Sequence, residues 1–121
     1  FNLKSSDISD TLKNSDYITL HVPAQKEFVI GKNQIKLMKN GAGLINAARG
    51  GVIDENGLIE ALDDGKLAFA GIDTFENEPK PSIKLLMHPK VSLTPHIGAA
   101  TSEAQDRIGI ELANQIISLV K

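Results

Sequence analysis

The chain has 121 residues, 41% of them hydrophobic and 23% charged, enough for one hydrophobic core and a single domain. Its net charge of −2, with no run of Lys or Arg, excludes a nucleic-acid or membrane-surface footprint. The absence of cysteine excludes disulfides and thiolate metal sites. No stretch approaches the roughly 18 apolar residues of a membrane span, and the opening "FNLKSSDISD" lacks the apolar centre of a signal peptide, so a cytoplasmic location is expected.

In chain order, Ile8 and Leu12 stand at i, i+4 and predict a helix over 6–14. "YITLHV" (17–22) reads as a strand. "GKNQIKLMKNG" (31–41) reads as a helix closed by Asn40-Gly41 in a left-handed cap. "GLINA" (43–47) is the second strand. "DENGLIEALDDG" (54–65) is a helix with Asp54 as N-cap, Leu58, Ile59 and Leu62 as its apolar face, and Gly65 as its stop. "LAFAGI" (67–72) and "VSLT" (91–94) complete the strands. Between them, "FENEPKPSIKLLMHP" (75–89) is too rich in proline and charge to start a helix before Pro81. It is expected to run over the sheet's carboxyl edge.

The last helix is predicted over 102–120. Ser102 and Gln105 match a capping box, and Ala104, Ile108, Leu112, Ile116 and Val120 recur every four residues, with Ala113 and Ile117 alongside. The second and third strands are apolar or small at nearly every position, the pattern of strands covered on both faces. Strands alternating with helices imply an α/β fold with a parallel sheet and right-handed crossovers.

"GAGLIN" (41–46) comes close to the dinucleotide fingerprint G-x-G-x-x-G, but Asn46 replaces the final glycine. The glycines also precede a strand, whereas the fingerprint follows one and opens a helix onto a pyrophosphate. Gly41 and Gly43 are therefore read as a helix cap and a lead into the strand. A phosphate grip is not encoded in these residues.

Three polar positions follow strand ends. Arg49 lies among Ala47, Ala48, Gly50 and Gly51, small residues that admit close approach of backbone or ligand. Its planar fork of donors suits a carboxylate, although an arginine after a strand is commonly just solvated. Asp73 ends the third strand, and Glu76 and Glu78 follow it; they could orient a base or form a solvated loop. His96 follows the fourth strand, in "TPHIGAAT" (94–101). A histidine, a carboxylate and an arginine converging on one sheet edge are the parts for proton transfer beside a gripped substrate. His21 and His88 are weaker candidates, and His88 lies in a turn, "MHP".

Taken together, "SDYITLHVP" (15–23), "LMKNGAGLINAARGGVIDENGLIEAL" (37–62), "AGIDTFENEP" (70–79) and "HPKVSLTPHIGAAT" (88–101) resemble the D-isomer-specific 2-hydroxyacid dehydrogenases in content, order and spacing. The tail "TPHIGAATSEAQDRIG" is most similar to the phosphoglycerate dehydrogenase branch. The resemblance implies a partial Rossmann-like domain that binds NAD. It also implies a substrate that is a 2-hydroxy or 2-keto acid, foremost 3-phosphoglycerate and 3-phosphohydroxypyruvate. Glyoxylate, hydroxypyruvate or D-lactate enzymes, and an NAD-sensing corepressor relative, are the alternatives within it. A stand-alone small α/β binding module is a third class, disfavoured by the polar opening "NLKSSDISD".

The same resemblance implies roles. His96 would be the general acid/base, Glu78 would hydrogen-bond its imidazole and favour the protonated form, and Arg49 would bind the substrate's carboxylate. Hydride would pass between C2 and the nicotinamide of NAD(H). Asp73 would contact the nicotinamide side. His21, Val22, Pro23, Ala47, Ala48, Arg49, His96 and Gly98 would line the cofactor, and Glu76 would be solvated. Residues 1–121 would form the second half of a nucleotide-binding domain, without the G-x-G-x-x-G half and without the substrate domain, and would be nearly inactive alone. The strand at 17–22 would then be an exposed apolar edge, through which the chain would form a homo-oligomer.

Overall fold

A computed structural model describes residues 3–120. Nine elements follow in order: α1 (Ile8–Asn14), β1 (Tyr17–Leu20), α2 (Lys32–Leu37), β2 (Ala42–Asn46), α3 (Glu55–Asp63), β3 (Leu67–Ile72), α4 (Ile83–Leu86), β4 (Val91–Leu93) and α5 (Ser102–Val120). The strands form one parallel sheet in the order β1-β2-β3-β4. Every loop after a strand therefore leaves from the same edge, and this places Arg49, Asp73 and His96 along one rim.

Local chemistry accounts for the helices. The Asp7 side chain accepts from Asp10 N–H to start α1, and Asp54 accepts from Gly57 N–H to start α3. Gly65 adopts φ 74° just beyond α3, a left-handed stop that glycine reaches without Cβ strain. Gly41 is left-handed too, at φ 78°, but α2 has already ended at Leu37. The expected helix cap is instead the turn into β2, and Gly41 N–H donates to the Lys66 carbonyl. At α5 the cap also differs from the expectation. Thr101, not Ser102, caps the helix: its Oγ1 accepts from Ala104 N–H, while Gln105 Nε2 reaches the Ala99 carbonyl.

The core lies on one side of the sheet. Helix α1 packs on α2, α2 on α3, and α3 on α4. Under them, Ile18, Leu20, Leu44, Ala70 and Ile72 meet Leu12, Ile35, Met38, Leu58, Leu62 and Leu85. Each leucine or isoleucine removed from water here contributes about 1.5–3 kcal/mol.

The expectation that the central strands are covered on both faces is not met among the described residues. The opposite face presents Tyr17, Ile45 and Phe69, each more than a third exposed. It is only patched by its own aromatics. The Phe69 ring lies across Gly43, where an added Cβ would sit 2.4 Å from Cζ, and Tyr17 packs beside it at a centroid distance of 6.1 Å. An apolar sequence marks a face fit for burial but does not supply the cover. The stripe on α5 is in the same position: the helix buries none of its residues, and Ile108, Leu112 and Ile116 are each more than half exposed. β1, shorter than expected, pairs only with β2 and forms the sheet's edge. No described helix is long and apolar enough to cross a membrane.

Candidate active site

β2 ends in Asn46, a polar residue only 3% exposed in an otherwise apolar strand. Its Oδ1 accepts from Ala48 N–H and its Nδ2 donates to the Arg49 carbonyl, so one amide shapes the turn that carries the arginine. Reasoning from sequence passed over Asn46; a polar side chain closing an apolar strand was the available signal. Arg49 itself is exposed and donates from Nη1 to the Ala48 carbonyl at 2.7 Å. None of the described salt bridges uses it. Gly50 lies against the Phe75–Glu76 peptide and Gly51 turns the chain at φ 76°.

β3 delivers Asp73 as a buried carboxylate. Oδ1 accepts from Thr94 Oγ1 (2.6 Å) and Ile97 N–H (2.9 Å), and Oδ2 accepts from Gly98 N–H (3.1 Å). Burial pushes the carboxyl up, but these donors and the neighbouring His96 outweigh it and hold Asp73 below the usual carboxylate value. The carboxylate thus clamps the turn around His96. That residue sits at φ 56°, a left-handed conformation rare for a side-chain-bearing residue and maintained here by hydrogen bonds on both sides.

His96 Nδ1 meets Glu78 Oε2 at 2.8 Å, and Glu78 Oε1 accepts from Phe75 N–H at 2.9 Å. A carboxylate only accepts, so Nδ1 carries the proton, and Nε2 has no hydrogen-bond partner among the described residues. The hydrogen bond from His96, aided by Phe75 N–H, holds the Glu78 carboxyl below its ordinary value.

Two grooves flank this turn. One, of about 470 Å³, is lined by Phe75, Glu78, Pro79, Leu93 and His96 among others. The other, of about 340 Å³, is lined by Ala47, Ile72, Asp73, Thr94, Ile97 and Gly98 on the uncovered side of the sheet. Of the residues expected to line a cofactor, Ala47, Asp73 and Gly98 therefore share one groove. Ala48 is buried behind the turn, Val22 is half-buried against the core, and His21 and Pro23 are exposed, His21 bonding Thr19. His88 takes no part. Its Nδ1 accepts from Lys90 N–H and its Nε2 bonds Asp63, at the amino end of β4. Glu76 is not solvated as expected: it is half-buried, and its Oε1 accepts from Glu55 N–H.

A parallel sheet with a His–carboxylate pair, an arginine and a buried aspartate on its carboxyl rim is an α/β domain whose polar groups gather where ligands of such sheets bind. The family model "D-isomer specific 2-hydroxyacid dehydrogenase, NAD binding domain" matches residues 1–98, and the chain belongs to this family. It is 45% identical to D-3-phosphoglycerate dehydrogenase of Archaeoglobus fulgidus over 98% of the chain and 23% of that protein. With glyoxylate reductase of Thermococcus litoralis the identity is 46%, over 95% of the chain and 35% of that protein. The crystal structure of a glyoxylate reductase from Paecilomyes thermophila superposes with a TM-score of 0.80 at 35% identity, covering 96% of this chain and 36% of that one. The chain thus spans about a quarter to a third of the relatives it matches.

Proposed function

We propose that these residues belong to an NAD-dependent dehydrogenase that interconverts a small 2-hydroxy acid and its 2-keto acid. The observation that carries this reading is the Glu78–His96 pair at 2.8 Å on the same rim as Arg49 and Asp73. Arg49 binds the substrate carboxylate with two parallel hydrogen bonds and polarises the adjacent carbonyl. In the reductive direction His96 donates the Nε2 proton to the C2 oxygen, and Glu78 stabilises the imidazolium that donates it. A nicotinamide held in the groove beside Ala47 and Gly98 would supply the hydride chemistry at C2. That groove fits the ring: its walls are mostly small or apolar, with Asp73 as the charged group among them. The Asp73 carboxylate, held ionised, would favour a cationic oxidised ring there.

The likeness to D-3-phosphoglycerate dehydrogenase supports 3-phosphoglycerate/3-phosphohydroxypyruvate as the substrate pair, and the likeness to glyoxylate reductases supports glyoxylate as the alternative. Residues 1–121 are read as the second half of the nucleotide-binding domain, with the pyrophosphate grip and the substrate-domain wall supplied by other residues. The exposed edge strand β1 pairs with a second copy in this reading, and strictly monomeric light scattering at high concentration would refute that. The absence of cysteine suits a reducing, cytoplasmic setting.

The test is Arg49→Lys in the complete enzyme. It keeps the charge but loses the two-pronged grip, so kcat/KM for the keto acid should fall by about two orders of magnitude or more. A near wild-type value would overturn the assignment.

A further inference from the structure

The geometry points to Glu55 and Glu76 as a pair of positioning residues that set the Arg49 loop against the Glu78–His96 pair; the inference rests on the function proposed above. The two glutamates are 21 residues apart and grip each other reciprocally. Glu55 N–H donates to Glu76 Oε1 at 2.8 Å, and Glu76 N–H donates to Glu55 Oε1 at 2.7 Å. Glu55 opens α3, four residues after Gly51, and is only 6% exposed. Glu76 lies two residues before Glu78.

The Phe75–Glu76 backbone is the hub of this arrangement. Gly50 rests on it so closely that an added Cβ would fall 1.8 Å from the Phe75 carbonyl oxygen. The N–H of Phe75 holds Glu78 Oε1, and Glu78 Oε2 holds His96. The N–H of Glu76 is held by Glu55. A continuous path therefore runs from Arg49 through Gly50 and the hub to Glu78 and His96, and the glutamate pair is what fastens its two loops laterally. The substrate carboxylate on Arg49 and the C2 oxygen on His96 belong to adjacent atoms of one small molecule. Their grips must keep a fixed separation, because a misplacement of about 1 Å can lower the rate some 100-fold.

The chemistry of the pair also favours positioning over simple cohesion. Burial pushes the Glu55 carboxyl up, as does the nearby Glu76 charge, with the Glu76 N–H opposing both. Two carboxylates side by side are a poor way to gain stability. What they provide is a pair of acceptors at a set reach from two backbones.

The test uses the complete enzyme. Glu76→Ala and Glu55→Ala should each raise KM for the keto acid and lower kcat/KM at least 10-fold, with the NADH dissociation constant unchanged. Glu76→Gln and Glu55→Gln keep the acceptor oxygen and should stay within about twofold of wild type, a rescue that marks the carbonyl oxygen rather than the charge as the working part. The double alanine variant should be worse than either single one, because each single change removes one of the two hydrogen bonds and leaves the other in place. If Glu76→Ala fails to fold, Glu76→Asp carries the same test, since it is one methylene too short to reach Glu55 N–H. Alanine or aspartate variants that lose thermal stability but keep wild-type kcat and KM would overturn the proposal. Arg49→Lys serves as the control: if it too is fully active, the proposed function has failed; if it is inactive while Glu76→Ala and Glu76→Asp are normal, only the positioning role has failed.

Discussion

Gly50→Ala is expected to be far more damaging than Gly51→Ala, although the two glycines are adjacent. At Gly50 an added Cβ would lie 1.8 Å from the Phe75 carbonyl oxygen and 2.5 Å from its carbon. Comfortable contact needs about 3.5 Å, so the Phe75–Glu76 peptide would have to retreat by well over an ångström. It is poorly able to do so, because Glu55 holds its N–H and Glu78 holds the N–H of the preceding Thr74–Phe75 peptide. Backbone overpacking of this kind costs about 3 kcal/mol or more. In a domain of this size that corresponds to a fall in Tm of about 10–15 °C. At Gly51 nothing lies within 4 Å of an added Cβ, and only the left-handed φ of 76° resists. That penalty is about 1–2 kcal/mol, or roughly 5 °C. Thermal unfolding of both variants decides the matter. A Gly50→Ala variant within about 2 °C of wild type, or one more stable than Gly51→Ala, would refute the close seating of the two loops.

Asp73→Asn keeps one acceptor oxygen but turns an amide N–H₂ towards a donor, Gly98 N–H or the Thr94–Ile97 pair. One buried donor left unsatisfied costs about 1–3 kcal/mol, to be read as a lower urea midpoint; an unchanged midpoint would count against the clamp. The Asp73 and Glu78 carboxyls are both held below their ordinary values, so their contribution to stability is complete above the ordinary carboxylate range and is lost as pH falls through the lowered folded-state values. Stability should therefore be flat near neutrality on their account and decline only below about pH 4, with Glu78→Gln weakening the decline. An acid limb identical in Glu78→Gln would exclude that residue as a contributor. Thr74 Oγ1 is buried without a hydrogen-bond partner, so Thr74→Val, nearly the same shape, should be neutral or stabilising by up to about 1 kcal/mol in chemical denaturation. A clear loss of stability would show that the hydroxyl is in fact bonded.

The rim of the site was legible in the sequence because a parallel sheet does the assembling. Once β2, β3 and β4 are recognised as consecutive parallel strands, Arg49, Asp73 and His96 must emerge on one edge, whatever the side-chain details. Signals that act within one turn of chain were equally readable, as with Asp54 capping α3 or Gly65 ending it. What escaped were supports that couple distant backbones. Glu76 looked like one acid among several in a polar loop, because its partner is the amide of a residue 21 positions earlier, and an amide has no residue type to recognise. Thr94 was missed for the same reason, since its partner is a carboxylate 21 positions earlier. Asn46 and Thr101 act locally, on backbone groups two or three residues away, and each was passed over for a more familiar neighbouring signal. The uncovered sheet face failed differently. Tyr17, Ile45, Phe69 and the α5 stripe are as apolar as the true core, so pattern alone could not distinguish a surface already packed from one that is bare among these residues. Residue type thus announces the polar groups on the rim. Their placement relative to one another depends on hydrogen bonds to backbone, and those become visible only when the loops are seen against one another.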